Sequence, residues 1–274
     1  MKGWVNNVKK NRFEIDMCNG SIMDKLISFS LPLMVSGILQ LAFNAVDIIV
    51  VGRFSGSQAL AAVGSTTALI NVFTNLFIGI SLGANVLAAR FYAAGKDREM
   101  SETVHTSITL ALISGIMMAV IGVLLAKWAL EIMGTPDDVI GQSALYMRIY
   151  FMGMPFFMLY NYGAAILRAI GDTKRPLIFL IISGIANAAL NMTLVILFHM
   201  GVAGVAIGTI ISQLISCVLV LTCLYRSEGS YQLRFSKLKI NGAYMEQIFQ
   251  VGVPAGIQST VINLSNALLQ SSVN

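Results

Sequence analysis

The sequence predicts an all-α, polytopic membrane protein, and three observations support this fold class. Hydrophobic residues make up 56% of the 274 residues and charged residues only 11%, whereas about a quarter of the residues in a soluble domain are charged. The apolar residues fall into seven long runs, and about 20 such residues are needed to cross the ~30 Å hydrocarbon core of a bilayer. Lysine and arginine are concentrated in the polar segments between these runs.

The apolar runs predict a six-helix transmembrane lobe, 26–225, and the start of a second lobe. The preceding segment, 1–25, is a basic leader without an apolar core, so we expect it to stay in the cytosol. Six spans are predicted at 26–52, 59–92, 103–128, 143–167, 177–198 and 202–225. A cytosolic linker, 226–245, leads to a truncated seventh helix, 246–274.

The positive charges predict the orientation of the chain. Fifteen of the 18 lysine and arginine residues fall on the same side of these spans as the leader. Because cytosolic loops carry an excess of positive charge, we expect a cytosolic amino terminus and a multi-pass protein of the plasma membrane. The net charge of +5 does not indicate nucleic acid, since the basic residues form no continuous stripe. The expected surroundings are the lipid bilayer.

Span one carries a carboxylate, Asp47, inside its apolar run. A charge there costs roughly 2.5–3.5 kcal/mol on insertion scales, which makes Asp47 a candidate functional residue. Gln40 and Asn44 share its helix face through i, i+4, i+7 spacing, so this face should meet protein or water. Pro32 lacks a backbone donor and is expected to kink the helix. A purely structural role for Asp47, as partner of a polar group on another helix, remains open.

An internal repeat relates the two predicted lobes. Residues 29–46 match residues 251–268 in their rhythm of small, apolar and polar residues when Pro32 is aligned with Pro254. In this alignment Asn44 falls on Asn266. Six spans separate the copies, so both have the same orientation, which is typical of a parallel pseudo-repeat about an axis along the membrane normal. Such a repeat is one of the known arrangements of membrane transporters.

Five segments, in order, resemble the MATE (multidrug and toxic compound extrusion) family of secondary transporters. They are SLPLMVSGILQLAFNAVDIIVVGR, SGSQALAAVG, RAIGDTKRP, NAALNMTLV and GVAGVAIGTIISQ. The resemblance implies two six-helix lobes around a cavity that opens alternately to each side, driven by H⁺ or Na⁺. It identifies the chain as a partial copy: the first lobe, the linker and the first helix of a second lobe. We expect the missing carboxyl-terminal lobe normally to be in the same chain.

The resemblance also implies a cation site in the first lobe, at Asp47, Asn187, Asn191, Thr209 and Tyr146. The two asparagines are i, i+4 on one helix face, where their oxygens can coordinate a hard cation or bond a protonated carboxylic acid. Hydrogen bonding between helices is the alternative interpretation. Position 191 is often Asp in the family, and Met192 stands where proline is common. The Asn weakens a sodium site built on paired charges, which leaves open H⁺ at Asp47 or Na⁺ at Asp47 and Asn187.

The implied function is a cation-coupled antiporter that exports organic cations and drugs, with no cofactor beyond the coupling ion. A lipid-linked saccharide flippase and a non-transporting scaffold fragment are the alternatives. The segment from Gly79 to Gly83 matches the GxSxG pattern of hydrolases around Ser81. Because this segment lies inside a predicted membrane helix, close helix packing explains its glycines better, and no enzyme activity is expected.

Overall fold

The structure is a computed structural model that describes the backbone of residues 21–273 and the side chains of residues 21–67 and 69–262. Over these residues it contains eight α-helices and no strand, so the predicted fold class is confirmed. The helices are α1 (Ile22–Phe54), α2 (Gly56–Ala93), α3 (Asp97–Ile132), α4 (Asp137–Met152), α5 (Met154–Ala169), α6 (Lys174–Met192), α7 (Gly201–Arg226) and α8 (Gly242–Val273). A π-helical turn, Thr193–Leu197, extends α6, and a 3₁₀ turn, Phe235–Lys237, lies in the linker.

Two of the predicted features lie largely outside the described residues. The leader, 1–25, is described only over its last five residues, and four of these already belong to α1. The side chain of Asn266, the predicted counterpart of Asn44, is likewise outside the described residues. At the other boundary, the last four residues of the predicted linker, 242–245, form the first turn of α8.

Among the described residues, five helices are long and apolar enough to cross a membrane by length and composition: α1, α2, α3, α6 with its π-helical extension, and α7. The predicted fourth span, 143–167, is not one continuous helix. It consists of α4 and α5, of 16 residues each, which meet at Gly153. Pro155 has no N–H and cannot continue the hydrogen-bond ladder. At the junction the Gly153 N–H bonds the Tyr150 carbonyl, three residues back, at 3.0 Å. Together α4 and α5 cover 137–169, a stretch as long as α1.

Helix α5 forms the centre of the bundle and packs against α2, α3 and α7. Its side chains Met158, Tyr162, Ile166 and Leu167 are fully buried. By contrast, α1 lies at the edge of the bundle and packs mainly against α6, and most of its large apolar side chains are exposed. In a bilayer these side chains meet lipid or another part of the protein, so a carboxylate on α1 is sheltered only on the side that contacts α6 and, to a lesser extent, α2 and α7.

Helices α2 and α8 pack through glycine on both sides. A Cβ on Gly79 or Gly83 of α2 would collide with the backbone of α8, and a Cβ on Gly252 or Gly256 of α8 would collide with the backbone of α2. Each pair has the small-xxx-small spacing that lets membrane helices approach closely. Between the first two glycines, the Ser81 hydroxyl donates to the Ile78 carbonyl at 2.7 Å within an uninterrupted helix. The GxSxG match is therefore a packing feature rather than a nucleophile elbow.

Gly79→Ala is expected to lower the midpoint of thermal unfolding, because the added methyl group meets the α8 backbone, and such overpacking typically costs about 1–3 kcal/mol. Gly64→Ala is the matched control on the same helix, since nothing lies within 4 Å of its Cβ position. Scanning fluorimetry of the detergent-purified protein measures both variants. Equal midpoints for Gly79→Ala and Gly64→Ala would contradict the close packing of α2 against α8.

Candidate functional site

The contact between α1 and α6 brings the membrane carboxylate to its partners. The ring of Phe43 on α1 fills the space beside Gly184 on α6, where a Cβ would collide with it. Asp47 is one helical turn after Phe43, and Asn191 is two turns after Gly184, so each shares a helix face with its packing residue. The close approach of the two helices therefore sets Asp47 opposite Asn191.

A chain of hydrogen bonds crosses three helices at this place. The Asn191 Nδ2 group donates to Asp47 Oδ1 and also to Asn187 Oδ1, the latter at 3.3 Å. The Asn187 Nδ2 group donates to Thr209 Oγ1 at 3.4 Å, and Thr209 in turn donates to the Val205 carbonyl at 2.9 Å. Four of the five residues implied by the resemblance thus form one connected set on α1, α6 and α7.

The Asn191 side chain is fully buried and only partly satisfied. Its solvent exposure is 0%, and its Oδ1 atom has no hydrogen-bond partner among the described residues. The amide fits because position 208 on α7 is glycine: a Cβ there would collide with Asn191 Oδ1. Leaving a buried acceptor unpaired costs about 1–3 kcal/mol, so such an atom calls for an explanation. A cation or a proton donor beside Asn191 would satisfy it.

Tyr146 lies near this set but is not hydrogen-bonded to it. The side chain is buried on α4, within electrostatic range of the Asp47 carboxylate. No hydrogen bond joins it to Asp47 within residues 21–262. Its ring faces that of Tyr150, with the centroids 6.1 Å apart.

Two residues near the site were missed by the sequence reasoning. Tyr150 also lies within electrostatic range of Asp47, and Gln213 of α7 packs where a Cβ on Gly153 would stand. The Gln213 Oε1 atom is buried and has no hydrogen-bond partner among the described residues. Helical spacing could have indicated both, because each lies four residues after a predicted site residue on the same helix face. Tyr150 follows Tyr146, and Gln213 follows Thr209.

The other polar residues of the predicted α1 face, Gln40 and Asn44, lie outside this hydrogen-bonded set. Gln40 and Asn44 are exposed, and neither makes a hydrogen bond to another described residue. Helix α1 continues without interruption through the buried Pro32, whose carbonyl accepts the Ser36 hydroxyl at 2.8 Å. Of the predicted polar face, Asp47 alone reaches α6 through a hydrogen bond in the described structure.

Comparison with known proteins gives consistent results. A sequence profile of the MatE family matches residues 32–193. The chain is 33% identical over 263 residues to the probable multidrug resistance protein YoeA of Bacillus subtilis (strain 168), covering 93% of this chain and 56% of that protein. It is 28% identical over 255 residues to the multidrug export protein MepA of Staphylococcus haemolyticus, covering 89% and 56% respectively. The chain thus spans little more than half the length of these relatives.

The fold has a counterpart among solved structures. A crystal structure of MATE in the bent conformation matches with a TM-score of 0.85 at 21% sequence identity. The match covers 92% of this chain and 56% of that one. The arrangement of the helices is therefore shared with this transporter structure.

The contact between Gly208 and Asn191 can be tested by a double-mutant cycle. Gly208→Ala and Asn191→Ala should each lower thermal stability, the first by collision and the second by removing the amide from Asp47. The double variant should lose less than the two losses combined, by about 1 kcal/mol, because the colliding amide is gone. Unfolding midpoints of the purified variants provide the measurement. Strictly additive losses would mean that the two residues do not touch.

Proposed function

Because the chain belongs to the MatE family of multidrug and toxic compound extrusion (MATE) transporters, we propose that it takes part in drug export across the plasma membrane by alternating access, in exchange for H⁺ or Na⁺. Asp47 is the coupling carboxylate in this proposal, and Asn187, Asn191 and Thr209 complete the cation site. Since the chain spans 56% of its relative YoeA, the activity proposed is that of a complete transporter of which this chain supplies the first lobe, the linker and one further helix. The excess of lysine and arginine on the same side of the membrane spans as the leader supports a cytosolic amino terminus.

The observation that carries the proposal is the state of the Asn191 amide. Its Nδ2 group donates to Asp47, while its Oδ1 atom is buried without a hydrogen-bond partner in the described structure. Hard cations prefer oxygen ligands. The Asp47 carboxylate would supply them directly, and the amide oxygen, which faces Gly208 in the structure, would join them after rotation of the amide. A carboxylate at membrane depth also calls for a compensating positive charge or a proton.

The amide chemistry suits either coupling ion. With Asp47 ionised, the Nδ2 group donates to the carboxylate, as in the structure. With Asp47 protonated, a rotated amide would present its oxygen to the acid proton, because Asn carries two donors on one arm and an acceptor on the other. An organic cation attracted to the same negative charge would compete with the coupling ion. Such competition for one carboxylate is the simplest form of antiport.

Neither alternative function has an observation of its own in its favour. A saccharide flippase would favour cations in the cavity to hold a pyrophosphate, yet no described Lys or Arg bonds to Asp47 or to the asparagines. Arg148, on α4 between Tyr146 and Tyr150, is exposed. A membrane scaffold would not require a hydrogen-bonded chain from a carboxylate through buried amides. Small organic cations are therefore the proposed substrates.

Asp47→Asn is expected to abolish dye efflux from energised cells that express the full-length protein, because the amide can neither release a proton nor balance a cation's charge. Collapsing the proton and sodium gradients separately in wild-type cells would identify the coupling ion. Asp97→Asn is the matched control: it removes an exposed carboxylate at the start of α3 and should leave efflux unchanged. Normal efflux by Asp47→Asn at wild-type expression would reduce Asp47 to a structural partner.

Asn191→Leu is expected to lower the efflux rate by about tenfold or more, because a hydrogen bond to a charged group contributes about 1.5–3 kcal/mol. The variant keeps Asp47 but removes the donor and the free acceptor beside it. Dye efflux at matched expression measures the effect, and Asn44→Leu, at an exposed position on α1, serves as the control. Equal rates for the two variants would exclude Asn191 from the cation site.

A further inference from the structure

A second polar site lies at the end of the bundle where the linker crosses the first turns of α3. A cleft of about 780 Å³ opens between them. It is lined by Arg98, Ser101, Glu102, His105, Lys237 and Lys239, with the start of α8 beside them. None of these residues takes part in the set around Asp47.

The walls of the cleft are held by hydrogen bonds between the linker and α3. The Arg234 N–H donates to His105 Nε2 at 3.1 Å. Seven residues later, Asn241 donates through its N–H to Thr106 Oγ1 at 3.2 Å and through its Nδ2 group to Glu102 Oε2 at 2.8 Å. The linker is thus attached at two points, and the segment 235–240 between them carries Lys237 and Lys239 along the cleft.

The histidine of the cleft is fixed as a neutral acceptor. His105 is 4% exposed, and its Nδ1 atom lies 2.6 Å from the Ser101 carbonyl. A carbonyl accepts only, so Nδ1 carries the proton and Nε2 is free to accept the Arg234 N–H. His105 therefore holds the linker to α3 without adding a positive charge to the cleft.

The charges that line the cleft are unbalanced. Glu102 is its one acidic residue in the described structure, and it already accepts from Arg98, at 3.1 Å, and from Asn241. Lys237 and Lys239 are exposed and form no ion pair with a residue in the range 21–262. The ammonium groups of the two lysines and the Ser101 hydroxyl therefore line the cleft beside an Arg98–Glu102 pair whose charges cancel. This balance suits an anion.

We propose that this cleft binds a phosphate-bearing anion, supplied either by the headgroup of an anionic phospholipid or by soluble phosphate. The position of the site favours the lipid. Immediately beside it, the rings of Tyr225 and Phe235 stack with centroids 5.8 Å apart, and both are 53% exposed. Exposed aromatic rings at the end of a membrane helix are typical of the headgroup level. Clustered lysines near that level bind anionic lipid, each contributing about 1 kcal/mol.

The test titrates the detergent-purified protein with three probes: dioctanoyl phosphatidylglycerol, zwitterionic dioctanoyl phosphatidylcholine and inorganic phosphate. The Kd of each is read from the ligand-dependent shift of the unfolding midpoint. The double variant K237Q/K239Q removes both lysines of the cleft. The matched control, K96Q/K174Q, removes two exposed charges outside the cleft, one from the α2–α3 turn and one from the first residue of α6.

Phosphatidylglycerol should bind the wild type and the control with similar Kd, and K237Q/K239Q about tenfold or more weakly, given the contribution of each lysine. Phosphatidylcholine should bind all three proteins weakly and equally. If the ligand is a lipid headgroup, inorganic phosphate should neither bind nor compete with phosphatidylglycerol. Competition by millimolar phosphate would identify the soluble anion as the ligand.

A third variant, Ser101→Glu, tests the cleft itself rather than the lysines, because it adds a carboxylate to the α3 wall and keeps every basic residue. It should weaken phosphatidylglycerol binding as K237Q/K239Q does. Equal affinity in K237Q/K239Q and K96Q/K174Q would overturn the proposal, since binding would then follow total charge. An absence of any binding by phosphatidylglycerol or phosphate would overturn it as well.

Discussion

The hydrogen bond between Asn191 and Asp47 is the interaction on which the arrangement of α1, α6 and α7 depends. At membrane depth there is no bulk water to solvate a carboxylate, so a partner must come from the protein, a ligand or a proton. Asn191 supplies that partner and links Asp47 through Asn187 to Thr209. Helix α1 buries few side chains elsewhere, with only Pro32, Val50 and Val51 fully enclosed. Its contact with α6 therefore both provides the carboxylate with a hydrogen-bond donor and packs an otherwise peripheral helix.

Glycine makes these contacts possible, because it lets polar side chains and backbones meet without a layer of apolar side chains between them. Gly184 admits the Phe43 ring, and Gly208 leaves room for the Asn191 amide. The contact between α2 and α8 relies on the same property at Gly79 and Gly256. In lipid, where the hydrophobic effect does not drive helices together, such close contacts are a main source of association.

The sequence was sufficient for the class of fold and for much of the candidate site. Apolar length located the helices, and the rarity of a charge inside an apolar span singled out Asp47. The helix break at Gly153 was not predicted, because a proline in a membrane helix is compatible with a bend as well as with a break. Tyr150 and Gln213 each lie one helical turn after a predicted site residue, but this spacing does not say which faces of separate helices meet, so it did not single them out. The same limit hid the cleft between α3 and the linker, whose walls are far apart in sequence.

The break at Gly153 has a consequence for how this lobe tolerates sequence change. Gly153 joins α4 to α5 at a point where a Cβ would meet Ile210 and Gln213 of α7. Substitution there would force the Ile210 and Gln213 side chains to shift, on the face of α7 that also carries Thr209. A residue with no side chain thereby sets the positions of the α7 side chains packed against it. A larger residue at position 153 would therefore require smaller side chains at positions 210 and 213 of α7.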